Sequence, residues 1–244
     1  NAEVIRPDPT TTTSTTTPAP TRPGTATSPT VATTVAPQPT TVLLLGDSTA
    51  VSLMERRSID FGPSWNVQAS ARVGCSFVVG NPIDVGATFA ITQGEECGQW
   101  RTEWSDAFAQ VRPDVAVVMI GAWEVLDHNV EGGVIRFPDP AWYDLVRTAI
   151  GEAISIAGTD DTPVVLLTLP CMQQSTDSDF PAQARNDDVR VAAFNDLLRE
   201  AAAADPNVSV IELHDRLCPD GVFLAEVDGA PLRYDGVHVT PEGA

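Results

Sequence analysis

Two short blocks, far apart in the chain, hold the residues best suited to chemistry: Gly46-Asp47-Ser48, and Asp235-Gly236-Val237-His238-Val239-Thr240-Pro241. Together they supply a hydroxyl, an imidazole and a carboxylate, the side chains of nucleophilic acyl transfer. An imidazole can deprotonate a serine only when it is held in one tautomer, and Asp235, three residues before His238, can turn back to hold it. The spacing nominates Ser48 as nucleophile, His238 as base and Asp235 as the group that orients the base.

Other polar residues have blander readings. His214 could rival His238, but it lacks a well-spaced downstream partner, so a structural or rim place is expected. His128 is expected in an exposed loop with Asp127 and Asn129, where no ligand cluster accompanies it to bind a metal. Glu124 and Asp127 are expected to cap or solvate that loop. For Arg72, beside Gly74, a surface ion pair is expected rather than a contact to a substrate oxygen. Trp100, Trp104 and Trp142 are expected in the core or in helix packing. No metal and no organic cofactor is implied.

These residues need elements to position them. Apolar runs at 42–46, 66–69, 115–121, 164–169 and 208–213 read as strands, mostly too continuous in apolar character to be half exposed. Helical spacing fills 49–59, 99–111, 141–156 and 187–204, the last stopped by Asp205-Pro206. Alternation of this kind predicts a doubly wound, flavodoxin-like α/β domain with a five-stranded parallel sheet, its crevice at the carboxyl ends of the strands. Ser48, Gly74, residues 121–124, Asp235 and His238 then share one edge of the sheet. Ser48 would open the first helix, either as a plain N-cap or where free N–H groups favour a developing anion.

Composition bounds the partners and the compartment. The net charge of −19 argues against nucleic acid and against a basic footprint on anionic lipid. All 14 basic residues are Arg, which excludes lysine Schiff bases and a Walker lysine. Residues 1–41 are rich in Thr, Pro, Ala and Ser and read as an extended linker or stalk, with 42–244 as one catalytic domain. The start at Asn1 and the stop after Pro241-Glu242-Gly243, which should lead into a helix, suggest a fragment of a longer protein. Cys75, Cys97, Cys171 and Cys218 form no Cys-x-x-Cys knuckle and read as disulfides outside the cytoplasm. Four cysteines allow three connectivities; Cys75 with Cys97 and Cys171 with Cys218 is the preferred one, closing one loop and tying two strand ends.

The ordered set, Gly46-Asp47-Ser48, Gly74, a Gly-led block at Gly121 and Asp235-x-x-His238, resembles the SGNH (GDSL-type) hydrolases over roughly residues 42–244. The resemblance implies an acyl-serine intermediate on Ser48, with His238 as base and Asp235 behind it. It implies an oxyanion hole from the N–H groups of Ser48 and Gly74 plus an asparagine side chain. In place of that asparagine, Gly121-Ala122-Trp123-Glu124 has Trp123, whose indole N–H could donate instead. Gly121-Ala122-Trp123-Glu124, Gly74-Cys75 and the Asp235 to Gly243 stretch are similar to SGNH domains fused behind membrane acyltransferase family 3 domains. That likeness implies O-acyl, most simply O-acetyl, transfer from an acyl donor to an envelope carbohydrate, with an upstream membrane domain in the same polypeptide. A secreted carbohydrate esterase and a noncatalytic glycan-binding domain are the alternatives.

Overall fold

In the computed structural model, residues 38–56, 61–84, 90–175 and 183–244 are described. Most of the expected linker, and the end of the first expected helix, lie outside them. The elements in chain order are β1 (Thr40–Gly46), α1 (Ser48–Arg56), β2 (Trp65–Ala71), β3 (Asn81–Ile83), α2 (Trp100–Val111), β4 (Val115–Met119), β5 (Asp127–Val130) and β6 (Gly133–Ile135). There follow α3 (Pro140–Ala157), β7 (Val164–Leu167), α4 (Asp188–Ala204), β8 (Val208–Ile211), α5 (Leu213–Leu217), β9 (Glu226–Val227) and β10 (Ala230–Pro231). Thr40 and Thr41, assigned by composition to the linker, belong to β1, where they pair with Trp65 and Asn66.

The central sheet has five parallel strands in the order β2-β1-β4-β7-β8. This is the doubly wound architecture expected from the alternating pattern. Its strand order reverses at β1, which opens a crevice beyond the carboxyl ends of β1 and β4. Alternate residues of β1 serve the two faces. Leu43 and Leu45 pack with residues of α2, α3 and α4, while Leu44 packs with Ala50, Met119 and Leu167 on the α1 side. That double burial explains the uninterrupted apolar run. By contrast β2 is an edge strand, with Trp65 52% exposed, which accounts for its polar Asn66 and Gln68.

Trp100 and Trp104 on α2 close over Phe77 with ring centroids 4.8–5.2 Å apart, and the indole of Trp142 donates to the Leu126 carbonyl at 2.9 Å. All three tryptophans are core residues, as expected. Two small antiparallel pieces were not legible in the pattern: the sheet β3-β5-β6 and the pair β9-β10. Their strands are four residues or shorter, too short to show a period.

Disulfides join Cys75 to Cys97 and Cys171 to Cys218, across Cα separations of 5.0 and 6.1 Å. Cys171 lies just past β7, whereas Cys218 lies at the end of α5, one short helix beyond β8.

Candidate active site

Strand β1 ends at Gly46 and hands Asp47 and Ser48 to the start of α1. Asp47 takes the capping place that Ser48 might have filled: its Oδ1 accepts from the Thr49 N–H at 2.7 Å and from the Thr49 hydroxyl at 2.5 Å. Ser48 is thereby free to turn outward. Its hydroxyl lies 2.8 Å from Nε2 of His238, and Nδ1 of His238 lies 2.6 Å from Oδ2 of Asp235. One tautomer satisfies both bonds: Nδ1–H donates to the carboxylate and the bare Nε2 accepts the serine proton.

The Asp235 turn is locally closed. Its second oxygen accepts from the N–H groups of Val237 at 3.0 Å and His238 at 2.8 Å. Burial pushes the Asp235 carboxyl up, but the His238 ring and the two N–H donors outweigh it and hold the group down at about 2. Glycine is needed within this turn: Gly236 has φ +81°, and a Cβ there would sit 2.0 Å from the Gln173 carbonyl oxygen. Gln173 N–H in turn donates to the Gly236 carbonyl at 3.1 Å. Arg233 donates to the Cys171 carbonyl, so the disulfide-tied loop past β7 supports the histidine from behind. The Tyr234 ring stacks on His238, with centroids 5.7 Å apart and planes 19° from parallel.

Gly74 lies in the turn after β2, with φ +77°. Arg72 N–H bonds the Gly46 carbonyl at 3.0 Å, so this turn starts beside the serine block. Gln93 pins the turn from outside: its amide donates to the Gly74 carbonyl at 2.7 Å and accepts from the Ser76 N–H at 3.2 Å. The Cys75–Cys97 bridge holds the same stretch.

The Gly121 block departs from the sequence expectation. Glu124 does not cap or solvate an exposed loop; it is fully buried and knits two turns together. One oxygen accepts from the Gly121 N–H at 2.8 Å, the other from the Phe77 N–H at 2.8 Å and the Ser76 hydroxyl at 3.0 Å. Burial first, and the charge of Asp47 second, push its carboxyl up to about 7 against those donors. His128 is likewise not in an exposed loop. It is buried on β5, with Nε2–H donating to the Glu124 carbonyl at 3.3 Å, and burial depresses its imidazole to about 4. Asp127 pairs at 2.9 Å with the buried Arg190 rather than with solvent. The apolar residues around Glu124, from Ala122 to Leu126, were the available signal that this stretch is interior.

Trp123 is 6% exposed, and its indole N–H has no hydrogen-bond partner among the described residues. Over its ring, 4.0 Å from the centroid, lies the guanidinium of Arg185, a residue that sequence reasoning missed. Arg185 is 4% exposed and its Nε–H donates to the Ala122 carbonyl. Asp47, only 0% exposed, accepts from the Ala122 N–H at 3.3 Å; burial raises its carboxyl, opposed by the Thr49 bonds, Arg185 and Ala122. No local motif marks Arg185, which sits in an unremarkable Gln183-Ala184-Arg185-Asn186 stretch.

The remaining candidates lie elsewhere. The His214 N–H donates to the Thr168 hydroxyl at 2.9 Å and its ring faces Asp215 at 3.5 Å. Arg72 forms an ion pair with Glu103. Among the described residues no group of three or more His, Cys, Asp or Glu side chains could hold a metal ion.

The fold built on the β2-β1-β4-β7-β8 sheet is shared with a solved GDSL-type structure. A GDSL-like lipase from Bacteroides thetaiotaomicron superposes with a TM-score of 0.56 at 12% identity, over 85% of each chain. A protein from Bacteroides fragilis assigned as an acylhydrolase superposes with a TM-score of 0.54 at 14% identity, over 85% of this chain and 84% of its own. The chain belongs to the family described as protein of unknown function DUF459, whose model matches residues 41–244. None of the curated proteins searched matches it.

Proposed function

We propose that this domain is an SGNH-type serine enzyme that moves an acyl group, most simply acetyl, onto a carbohydrate of the cell envelope. The observation that carries the reading is the unbroken Ser48–His238–Asp235 chain of hydrogen bonds, 2.8 and 2.6 Å long. In the first half-reaction the Ser48 proton passes to His238 Nε2 as Oγ bonds the carbonyl carbon of the donor. The negative charge that forms on the carbonyl oxygen is met by the N–H groups of Ser48 and Gly74, with the unpartnered indole N–H of Trp123 as third donor. Collapse breaks the bond to the donor's leaving group, which takes the proton from His238 and departs, leaving acyl-Ser48. In the second half-reaction a sugar hydroxyl gives its proton to His238 and attacks the acyl carbon. Ser48 then recovers the proton and the sugar leaves as its ester.

Residues 1–39, most of which lie outside the described residues, serve in this reading as a stalk to a membrane acyltransferase domain that supplies the acyl donor. The two disulfides support an extracytoplasmic site of action, since such bonds persist where thiols are not kept reduced. Among the described residues no helix is long and apolar enough to cross a membrane. Labelling with an organophosphonate tests the nucleophile: attachment at Ser48, lost in Ser48→Ala with the fold intact, is expected. A folded wild type that never labels would favour a glycan-binding domain. Acyl-donor turnover with and without sugar tests the acceptor, where sugar ester exceeding free acid is expected. The reverse ratio would identify a carbohydrate esterase.

A further inference from the structure

We infer that Arg185 is a positioning residue that locks the Ala122-Trp123 turn to the histidine loop and so holds Trp123 in place relative to His238. The inference rests on the acyl-transfer reading above and extends it to a residue outside the triad.

Arg185 works from both ends. Its side chain reaches the Gly121 block, where Nε–H bonds the Ala122 carbonyl and the guanidinium plane covers the Trp123 ring at 4.0 Å. Its main-chain neighbours are fixed independently. Asp84 accepts from the N–H groups of Gln183 and Ala184, both at 2.8 Å, and Asn186 exchanges bonds with the Gln174 main chain at 2.8 and 2.9 Å. Gln173, the next residue back, bonds the Gly236 carbonyl inside the Asp235–His238 turn. The segment therefore spans from the turn that carries Trp123 to the turn that carries the base.

Charge gives a second argument. Asp47 and Glu124 are both fully buried, and each ties a separate turn of the site to the Gly121 block through Ala122 or Gly121. Two carboxylates in one dry region repel and raise each other's affinity for a proton, and a facing cation offsets that rise. Arg185 is the cation that faces this group: Asp47, Glu124, Asp84 and Asp235 are the charges acting on it. A lysine would keep the charge but lose both the planar stack on Trp123 and the directed Nε–H.

The test compares Arg185→Lys and Arg185→Met with wild type on p-nitrophenyl acetate, with circular dichroism as a check on folding. Arg185→Met is expected to lower kcat about 10²-fold, the scale of a misplaced catalytic group, with KM little changed. The Glu124 ionisation, at about 7 in the wild type, should move to higher pH in its pH–rate profile once the facing cation is gone. Arg185→Lys should leave that ionisation in place but retain part of the loss in kcat. The second measurement needs no turnover: the 15N-labelled indole N–H resonance of Trp123, assigned by Trp123→Phe, should move in both variants. A wild type that neither labels nor turns over, but whose indole resonance responds, would sink the acyl-transfer reading and leave the positioning intact. Wild-type kcat, pH profile and indole resonance in both variants would overturn the inference. So would equal loss in both with no shift in that ionisation.

Discussion

His238 is held by one carboxylate on one side and offers its free nitrogen to Ser48 on the other, so each atom of the triad has a separable role. Asp235→Asn is expected to keep the turn but favour the wrong tautomer, lowering kcat about 10⁴-fold; steady-state kinetics on a folded variant checks it. Trp123→Phe removes only the indole N–H and is expected to cost about 10² to 10³ in kcat, the usual effect of losing one oxyanion donor. Full turnover in that variant would reassign the indole to packing. The three triad residues were legible because each sits in a short motif whose spacing has a chemical meaning. Glu124 and Arg185 were not, because a lone charge in a sequence reads as solvated and only burial shows otherwise.

The elements matter here through their ends. Strand register sets Gly46 beside Ala71 and Met119, which brings the serine turn, the Gly74 turn and the Gly121 block to one edge. The disulfides then hold what the strands leave loose: Cys75–Cys97 at the Gly74 turn and Cys171–Cys218 behind the histidine loop. With sequence separations of 22 and 47 residues, loop-closure entropy predicts losses of about 3 and about 4 kcal/mol on removing each pair by serine substitution. Urea unfolding measures both, and the Cys171–Cys218 variant should also lose activity below its own denaturation midpoint. Alternating apolar and helical segments announced the five main strands and four main helices, because burial on both faces writes itself into composition. The β3-β5-β6 sheet could not be announced: its buried His128 and Asp127 are polar residues paid for by tertiary partners.

At the scale of the molecule, the buried ionisable groups set how stability follows pH. Glu124 titrates at about 7 when folded against 4.5 when exposed, so the folded state binds the extra proton between those values and stability falls as pH rises through that window. His128 is depressed to about 4 from 6.5, so its contribution is full above 6.5 and is lost as pH falls toward 4. The two trends oppose each other across their overlap. Thermal melting should therefore show a plateau there, with decline on the alkaline side from Glu124 and on the acid side from His128 and then Asp235. Glu124→Gln should melt lower throughout, having lost the acceptor for the Gly121 N–H, and should replace the plateau by a rise in melting temperature between about pH 4 and pH 6.5, where the His128 trend is then unopposed. An unchanged alkaline slope would show that another group titrates there.

The chain by itself determined the fold class and nominated Ser48, His238 and Asp235 as one group, because both depend on local pattern: apolar runs that demand burial, and reactive side chains at fixed short spacings. Only the tertiary structure decided what surrounds them. Asp47, Glu124 and Arg185 come from three separate stretches, and their roles arise from desolvation and from contacts across 47 to 75 residues of sequence. Such contacts leave no period and no motif, since their energy depends on where the fold excludes water rather than on which residues are neighbours in the chain.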